Sequence, residues 1–263
     1  SFNEYKNFIE QNSEYPRINR IRFLAEGKIY LRNNSPTSII NWFDKYPPLG
    51  GMGKIKLAEA YLEKGQTEKV QELIKEGWET ATISKNDLGY YRAKFKKFID
   101  SEDHIRRADY LAWEKKYWDL KRMLKYLPKD QRALYNARQI LMSNSYGVDN
   151  AISKVPEYLK KDPGLEFDRL RWRNRRGRLE GSLEILYRNS IKTEQQMVRP
   201  DKWWEQRESV VRSLIYKKRY KTAYKISSEH ALSAGPSFAE AEWLSGWIAL
   251  TFLNSPEYAI NHF

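Results

Sequence analysis

Five stretches of the chain carry residue types whose spacing could do chemistry. In "PPLGGMGKIKLAE" (47–59), Gly53 and Lys54 fit the end of a phosphate-binding loop, which needs Gly, four residues, then Gly-Lys-Ser/Thr. The first glycine of that pattern falls on Pro48, Ile55 replaces the hydroxyl that would hold magnesium, and no strand precedes it. The stretch reads as a flexible lead-in to a helix. His104, His230 and His262 have neither i, i+4 nor HExxH spacing, so they read as structural histidines, and no metal centre is expected. Carboxylates recur in Asp100, Glu102 and Asp103 and in Glu240 and Glu242. Glycosidic cleavage needs two carboxyl groups in a cleft with separated pKa values. These read instead as solvated helix faces and N-terminal turns, so no catalytic residue is assigned.

Two basic, tryptophan-bearing stretches remain. "DRLRWRNRRGR" (168–178) places six arginines around Trp172. At about 100° per residue they wrap most of a helix, leaving a gap at Leu170 and Asn174. Such a ridge could bind an anion, with Trp172 as a stacking surface. It could equally lie between two helices with its guanidiniums paired to Asp and Glu. "RPDKWWEQRESVVRSLIYKKRYKTAYKI" (199–226) puts Trp203 beside Trp204, so one indole can enter the core while the other faces a groove as a platform for a sugar ring. The candidate ligand contacts are therefore Arg171, Arg175, Arg178, Trp203 and Trp204.

The elements that must position these residues are helical almost throughout. Leu57, Tyr61 and Leu62, then Val70, Leu73 and Ile74, follow helical spacing on either side of Gly65. No run of five residues alternates as a half-buried strand would. A helix, tight turn, helix unit recurs, with turns near Gly65, Lys116, Gly177, Lys218 and Asn254. Their separations, about 36 to 61 residues, are too irregular for a tetratricopeptide array of about 34. The expectation is an all-α protein of about fourteen to sixteen helices, a right-handed superhelix of irregular, tetratricopeptide-like pairs in which each pair covers the apolar face of the one before. Residues 1–263 are read as one such domain, with 1–49 its least legible part.

Within "SFAEAEWLSGWIALTFLNSPEYAINHF" (237–263), Ala241, Leu244 and Ile248 make one apolar stripe, and Phe238, Trp243, Trp247 and Leu250 a second. A helix apolar on two sides lies between neighbours. Ser255 then caps a short final helix with Pro256 at its first position. The apolar residues at its end, with little beyond them to pack on, read as a cut.

Composition limits the class. With 41% hydrophobic and 14% aromatic residues, 263 residues suffice for a folded core. The net charge of +13, from 47 basic and 34 acidic residues, favours an anionic partner. With no cysteine there is no disulfide or thiolate chemistry. No apolar run approaches the roughly 18 residues of a membrane span, and the first residues lack the apolar core of a signal peptide.

Three runs, "DPGLEFDRLRWRNRRG", "RPDKWWEQRESVVRSLIYKKRYKTAYKISSEH" and "FAEAEWLSGWIALTFLNSPEYAINHF", resemble the helical superhelix of soluble lytic murein transglycosylases of alphaproteobacterial type. Ala241 to Leu244, Gly246 to Leu250, and His262 with Phe263 stand where that family has a recurrent signature. The resemblance covers residues 50–263. It implies a periplasmic enzyme that cleaves between N-acetylmuramic acid and N-acetylglucosamine, leaving a 1,6-anhydromuramyl end. The resemblance places the catalytic glutamate in a lysozyme-like domain that follows the superhelix and is marked by a Glu-Ser pair and a Gly-Leu-Met-Gln motif, and Gly-Leu-Met-Gln is absent here. The chain is thus expected to be a non-catalytic scaffold that meets peptidoglycan glycan strands and its own catalytic domain. It is expected to be monomeric, with no cofactor, no nucleic-acid partner and no transmembrane segment. A free-standing helical-repeat scaffold for a protein partner is one alternative, and a basic superhelix that binds nucleic acid is another.

Overall fold

The computed structural model describes residues 1–143, 146–190 and 193–263. Among them the regular structure is entirely helical, with sixteen α-helices, four short 3-10 turns and no strand. Internal contacts group the chain into two compact units, Ser1–Asn136 and Ala137–Phe263. The first contains α1 (Phe2–Gln11), α2 (Ile18–Glu26), α3 (Pro36–Lys45), α4 (Gly51–Glu63), α5 (Val70–Thr80), α6 (Lys85–Lys94), α7 (Ser101–Trp113) and α8 (Tyr117–Met123). Helix α9 (Lys129–Leu141) begins in the first unit and ends in the second. The second continues with α10 (Val148–Ser153), α11 (Pro163–Arg175), α12 (Leu179–Asn189), α13 (Pro200–Tyr216), α14 (Tyr220–Ser228), α15 (Pro236–Phe252) and α16 (Pro256–Ile260). None of the helices is long and apolar enough to cross a membrane.

The helices pack on their sequence neighbours. In the first unit α4 lies on α5, α5 on α7, and α7 on α8. In the second α11 lies on α12 and α13, α13 on α14 and α15, and α15 on α16. The all-α reading, with each helix pair laid on the next, therefore holds within each unit. Trp78 and Trp113 fill the core of the first unit, and Trp203, Trp204 and Phe167 that of the second.

The turns inside the pairs share one closure. Gly65, Lys115, Gly177 and Lys218 all have positive φ, at 73°, 58°, 63° and 57°. In each case the next N–H reaches back to the carbonyl five residues earlier: Gln66 to Tyr61, Lys116 to Leu111, Arg178 to Arg173, and Arg219 to Leu214, at 2.8–3.0 Å. This 6→1 bond satisfies a carbonyl that the helix end would otherwise leave open. Asn254 closes the α15–α16 turn with φ 51°. The sequence-read turn positions thus fall on left-handed residues, with the second displaced by one, from Lys116 to Lys115.

Helix α15 departs from expectation. Ala241, Leu244 and Ile248 are buried, but in the second stripe Trp243 and Leu250 are 54% and 51% exposed, while Phe238, edge-on to His230, and Trp247 are half-buried, so that stripe is only partly covered. Ser255 does stand at the N-cap of α16, but its hydroxyl donates back to the Leu253 carbonyl instead of accepting from the helix.

The shared turn gives a test. A side chain in the left-handed region costs about 1 kcal/mol. Nothing lies within 4 Å of where a Cβ on Gly177 would stand, so Gly177→Ala should lose about that amount through backbone conformation alone. Lys218→Gly should gain about 0.5–1 kcal/mol at the equivalent position. Urea unfolding reads both, and shifts of the same sign would show that the two turns are not equivalent.

Candidate functional site

The glycine-rich lead-in to α4 does perform anion chemistry, on the protein's own carboxylate. Glu26, at the end of α2 and 3% exposed, accepts hydrogen bonds from the N–H groups of Leu49 (2.5 Å) and Gly50 (3.1 Å). Burial pushes this carboxyl above its ordinary value, against the backbone N–H groups of Leu49, Gly50 and Gly53, which favour the charged form. The positive end of α4 is therefore filled from within. The stretch is a fixed joint between α2 and α4, not a flexible lead-in.

The arginine segment spans α11 and its turn, and its side chains divide. Arg171 is 6% exposed and pairs at 3.0 Å with Asp168, which also accepts from Arg138 at 2.8 Å. Arg175 lies at the surface, yet its guanidinium donates to the carbonyls of Leu141 (2.5 Å) and Met142 (2.9 Å) at the end of α9. Arg173 donates to the Gly181 carbonyl and to Glu184. Arg178 is exposed and lies over the Trp172 ring at 4.7 Å, with Arg176 over the same ring at 5.4 Å. Of the three candidate arginines, only Arg178 is placed as an outward cation on an aromatic face.

Neither candidate indole is open. Trp203 is 1% exposed and meets Phe167 of α11 edge-on, with ring centroids 5.5 Å apart. Trp204 is 2% exposed and donates its indole N–H to Glu240 of α15 at 2.9 Å. Adjacent residues diverge by about 100°, but α13 is covered from both directions, by α11 and by α15, so both rings are core. Of the three indoles in the two basic stretches, Trp172 is the one that carries outward cations.

Sequence spacing hid the histidine cluster. His230 Nε2 lies 2.6 Å from Glu242 Oε1, and His262 Nδ1 lies 2.7 Å from Glu242 Oε2. The carboxylate only accepts, so each facing nitrogen carries a proton. The opposite nitrogens are also engaged: His230 Nδ1 accepts from the Leu232 N–H (3.0 Å), and His262 Nε2 shares a hydrogen bond with the Tyr224 hydroxyl (3.1 Å). The network thus gives every ring nitrogen of both histidines a polar partner. Beside it Phe263 packs its ring onto Gly246, where a Cβ would lie 2.7 Å from the ring. These partners are 12 to 38 residues apart, so no local motif could reveal them.

One Glu-Ser dipeptide occurs, Glu208–Ser209 on α13, outside any Gly-Leu-Met-Gln context. Glu208 accepts from Arg212 one turn later at 2.7 Å, an ordinary surface helix pair. Comparison of the chain with protein-family models, with curated proteins and with solved structures finds no match.

Burial pushes the Glu242 carboxyl up, but the hydrogen bonds from His262 and His230 outweigh it and hold the group below its ordinary value of 4.5. A depressed carboxyl stabilises the fold above that ordinary value and loses its contribution as the pH falls through the folded-state value. We expect Glu242→Gln to cost about 1–2 kcal/mol at pH 7. The gap to the unmodified chain should close as urea unfolding is repeated below pH 4.5. A gap independent of pH would rule out the ionised carboxylate as the acceptor.

Proposed function

We propose that this chain is a non-catalytic helical scaffold of a periplasmic soluble lytic murein transglycosylase, acting in glycan-strand cleavage and cell-wall turnover. One observation carries the reading. The residues of the family-like signature, Glu242, Gly246, His262 and Phe263, interlock: Glu242 holds His262, and Gly246 makes room for Phe263. The signature positions thus act together as one α15–α16 closure, the arrangement that a shared signature at these positions would need.

On this reading the cleavage belongs to the lysozyme-like domain that the family carries after its superhelix. The helical chain restricts how a glycan strand reaches it. Three carboxyl groups that the fold draws inward are engaged in packing. Glu26 is held by backbone N–H groups, Asp168 by two guanidiniums and Glu242 by two imidazoles. A general acid must instead reach the scissile oxygen in a cleft. Contact with the wall is weak and electrostatic, between the basic surface and the carboxylates of peptidoglycan stems. Arg178 and Trp172 are the best-placed pair for it.

Incubation with purified sacculi tests the proposal. The chain should be retained at low ionic strength and released near 1 M salt, where screening acts over about 3 Å. It should liberate no anhydromuropeptides. Arg178→Gln should lower retention at least about twofold, as expected for one lost charge contact near 1 kcal/mol. Release of anhydromuropeptides would overturn the non-catalytic assignment. Salt-sensitive retention on RNA but not on sacculi would favour the nucleic-acid reading, and retention on neither would favour a protein-binding scaffold.

A further inference from the structure

Lys56 is a sparsely compensated buried charge of the first unit. It sits on α4, one turn after the Glu26 joint, and is 2% exposed. Its ammonium makes one hydrogen bond, to the Tyr91 hydroxyl at 2.5 Å, and lies 4.1 Å over the Tyr30 ring. Among the described residues no carboxylate pairs with it. A buried ammonium ordinarily has a partner, because desolvation without one costs several kcal/mol. Burial accordingly holds Lys56 below the ordinary lysine value, while Glu59 and Asp87 act on it only from beyond ion-pair distance.

Lys56 lines a cavity of about 560 Å³, within the range of small-molecule sites. The other walls are chemically distinct. Asp87 of α6 presents a carboxylate held by the Ser84 hydroxyl at 2.7 Å. Phe23, Leu24 and Leu49, each 42–44% exposed, form an apolar rim that the fold leaves uncovered. A cation, an anion and an apolar rim thus share one cavity. Glu26, whose hydrogen bonds fix Leu49 and Gly50, holds the rim against α4.

We infer that this cavity binds a free α-amino acid with an apolar side chain, its carboxylate toward Lys56, its ammonium toward Asp87 and its side chain against Phe23 and Leu49. The site belongs to the first unit and does not rest on the wall-binding reading, so either can fail alone. A simple anion would meet repulsion from Asp87, and a simple cation would meet Lys56, whereas the zwitterion satisfies both. Tyr91 and the Tyr30 ring orient the ammonium of Lys56, which leaves its remaining donors for the ligand.

Isothermal titration of the full chain tests this with leucine, N-acetylleucine, which lacks the ammonium, and leucinamide, which lacks the carboxylate. Leucine should bind saturably, and capping either end should weaken binding about tenfold or more, as for loss of a buried charge-assisted contact. Lys56→Met keeps the stem and removes the charge. It should fold at least as stably as the unmodified chain and lose about tenfold in leucine affinity. Asp87→Asn should weaken leucine but leave N-acetylleucine unchanged. The first three arms use the unmodified protein, so a folding defect in a variant cannot mask the answer. No saturable leucine binding, leucinamide binding as tightly as leucine, or full affinity in Lys56→Met would each overturn the assignment.

Discussion

The second unit is organised by one buried carboxylate. Asp168 has no exposure and stands between Arg138, 2.8 Å away, and Arg171, 3.0 Å away. Taking three charges out of water is costly unless their geometry is closely held. Burial holds the carboxyl above its ordinary value, against the opposing pull of the two guanidiniums. The end of α9 and the middle of α11 must therefore stay in register. Gly164 allows this, since a Cβ there would come within 2.3 Å of the Arg138 guanidinium. With α11 fixed, Phe167 meets Trp203, Arg175 reaches the end of α9, and the Gly177 turn sends Arg178 back over Trp172. The outward face of the arginine segment is a consequence of its inward face.

The same logic alters what the net charge of +13 means. Arg107 and Arg207 are almost wholly buried, and each donates to a carbonyl near the end of another helix, Trp78 of α5 and Ile226 of α14. Arg175 does so for α9. Helix C-termini carry open carbonyls and partial negative charge, so arginines placed there do structural work. Burial pushes Arg107 and Arg207 down to about 10, which leaves them cationic at neutral pH. Part of the positive charge thus faces inward and is not available to an anionic partner.

This division explains how far the sequence could be read. Turn positions were legible at Gly65, Gly177, Lys218 and Asn254 because they are set by local backbone geometry. The pairing of helices followed from apolar spacing. Burial of both Trp203 and Trp204 was not legible, because it depends on α13 being covered by two helices distant in sequence. Nor was the joining of His230 and His262 through Glu242, since long-range partners leave no spacing signature. The glycine-rich stretch carried the correct chemistry, an anion at a helix N-terminus, but its occupant was Glu26, which sequence alone could not single out.

The most direct measurement is the urea unfolding free energy of Asp168→Asn set beside that of Arg178→Gln at pH 7. If Asp168 is the ionised tie between two buried guanidiniums, its amide variant loses about 3–5 kcal/mol. Arg178, turned outward over Trp172, changes stability by no more than about 0.5 kcal/mol when replaced. A loss below about 1 kcal/mol for Asp168→Asn, or an equal loss for Arg178→Gln, would contradict the division of the arginine segment into inward and outward groups.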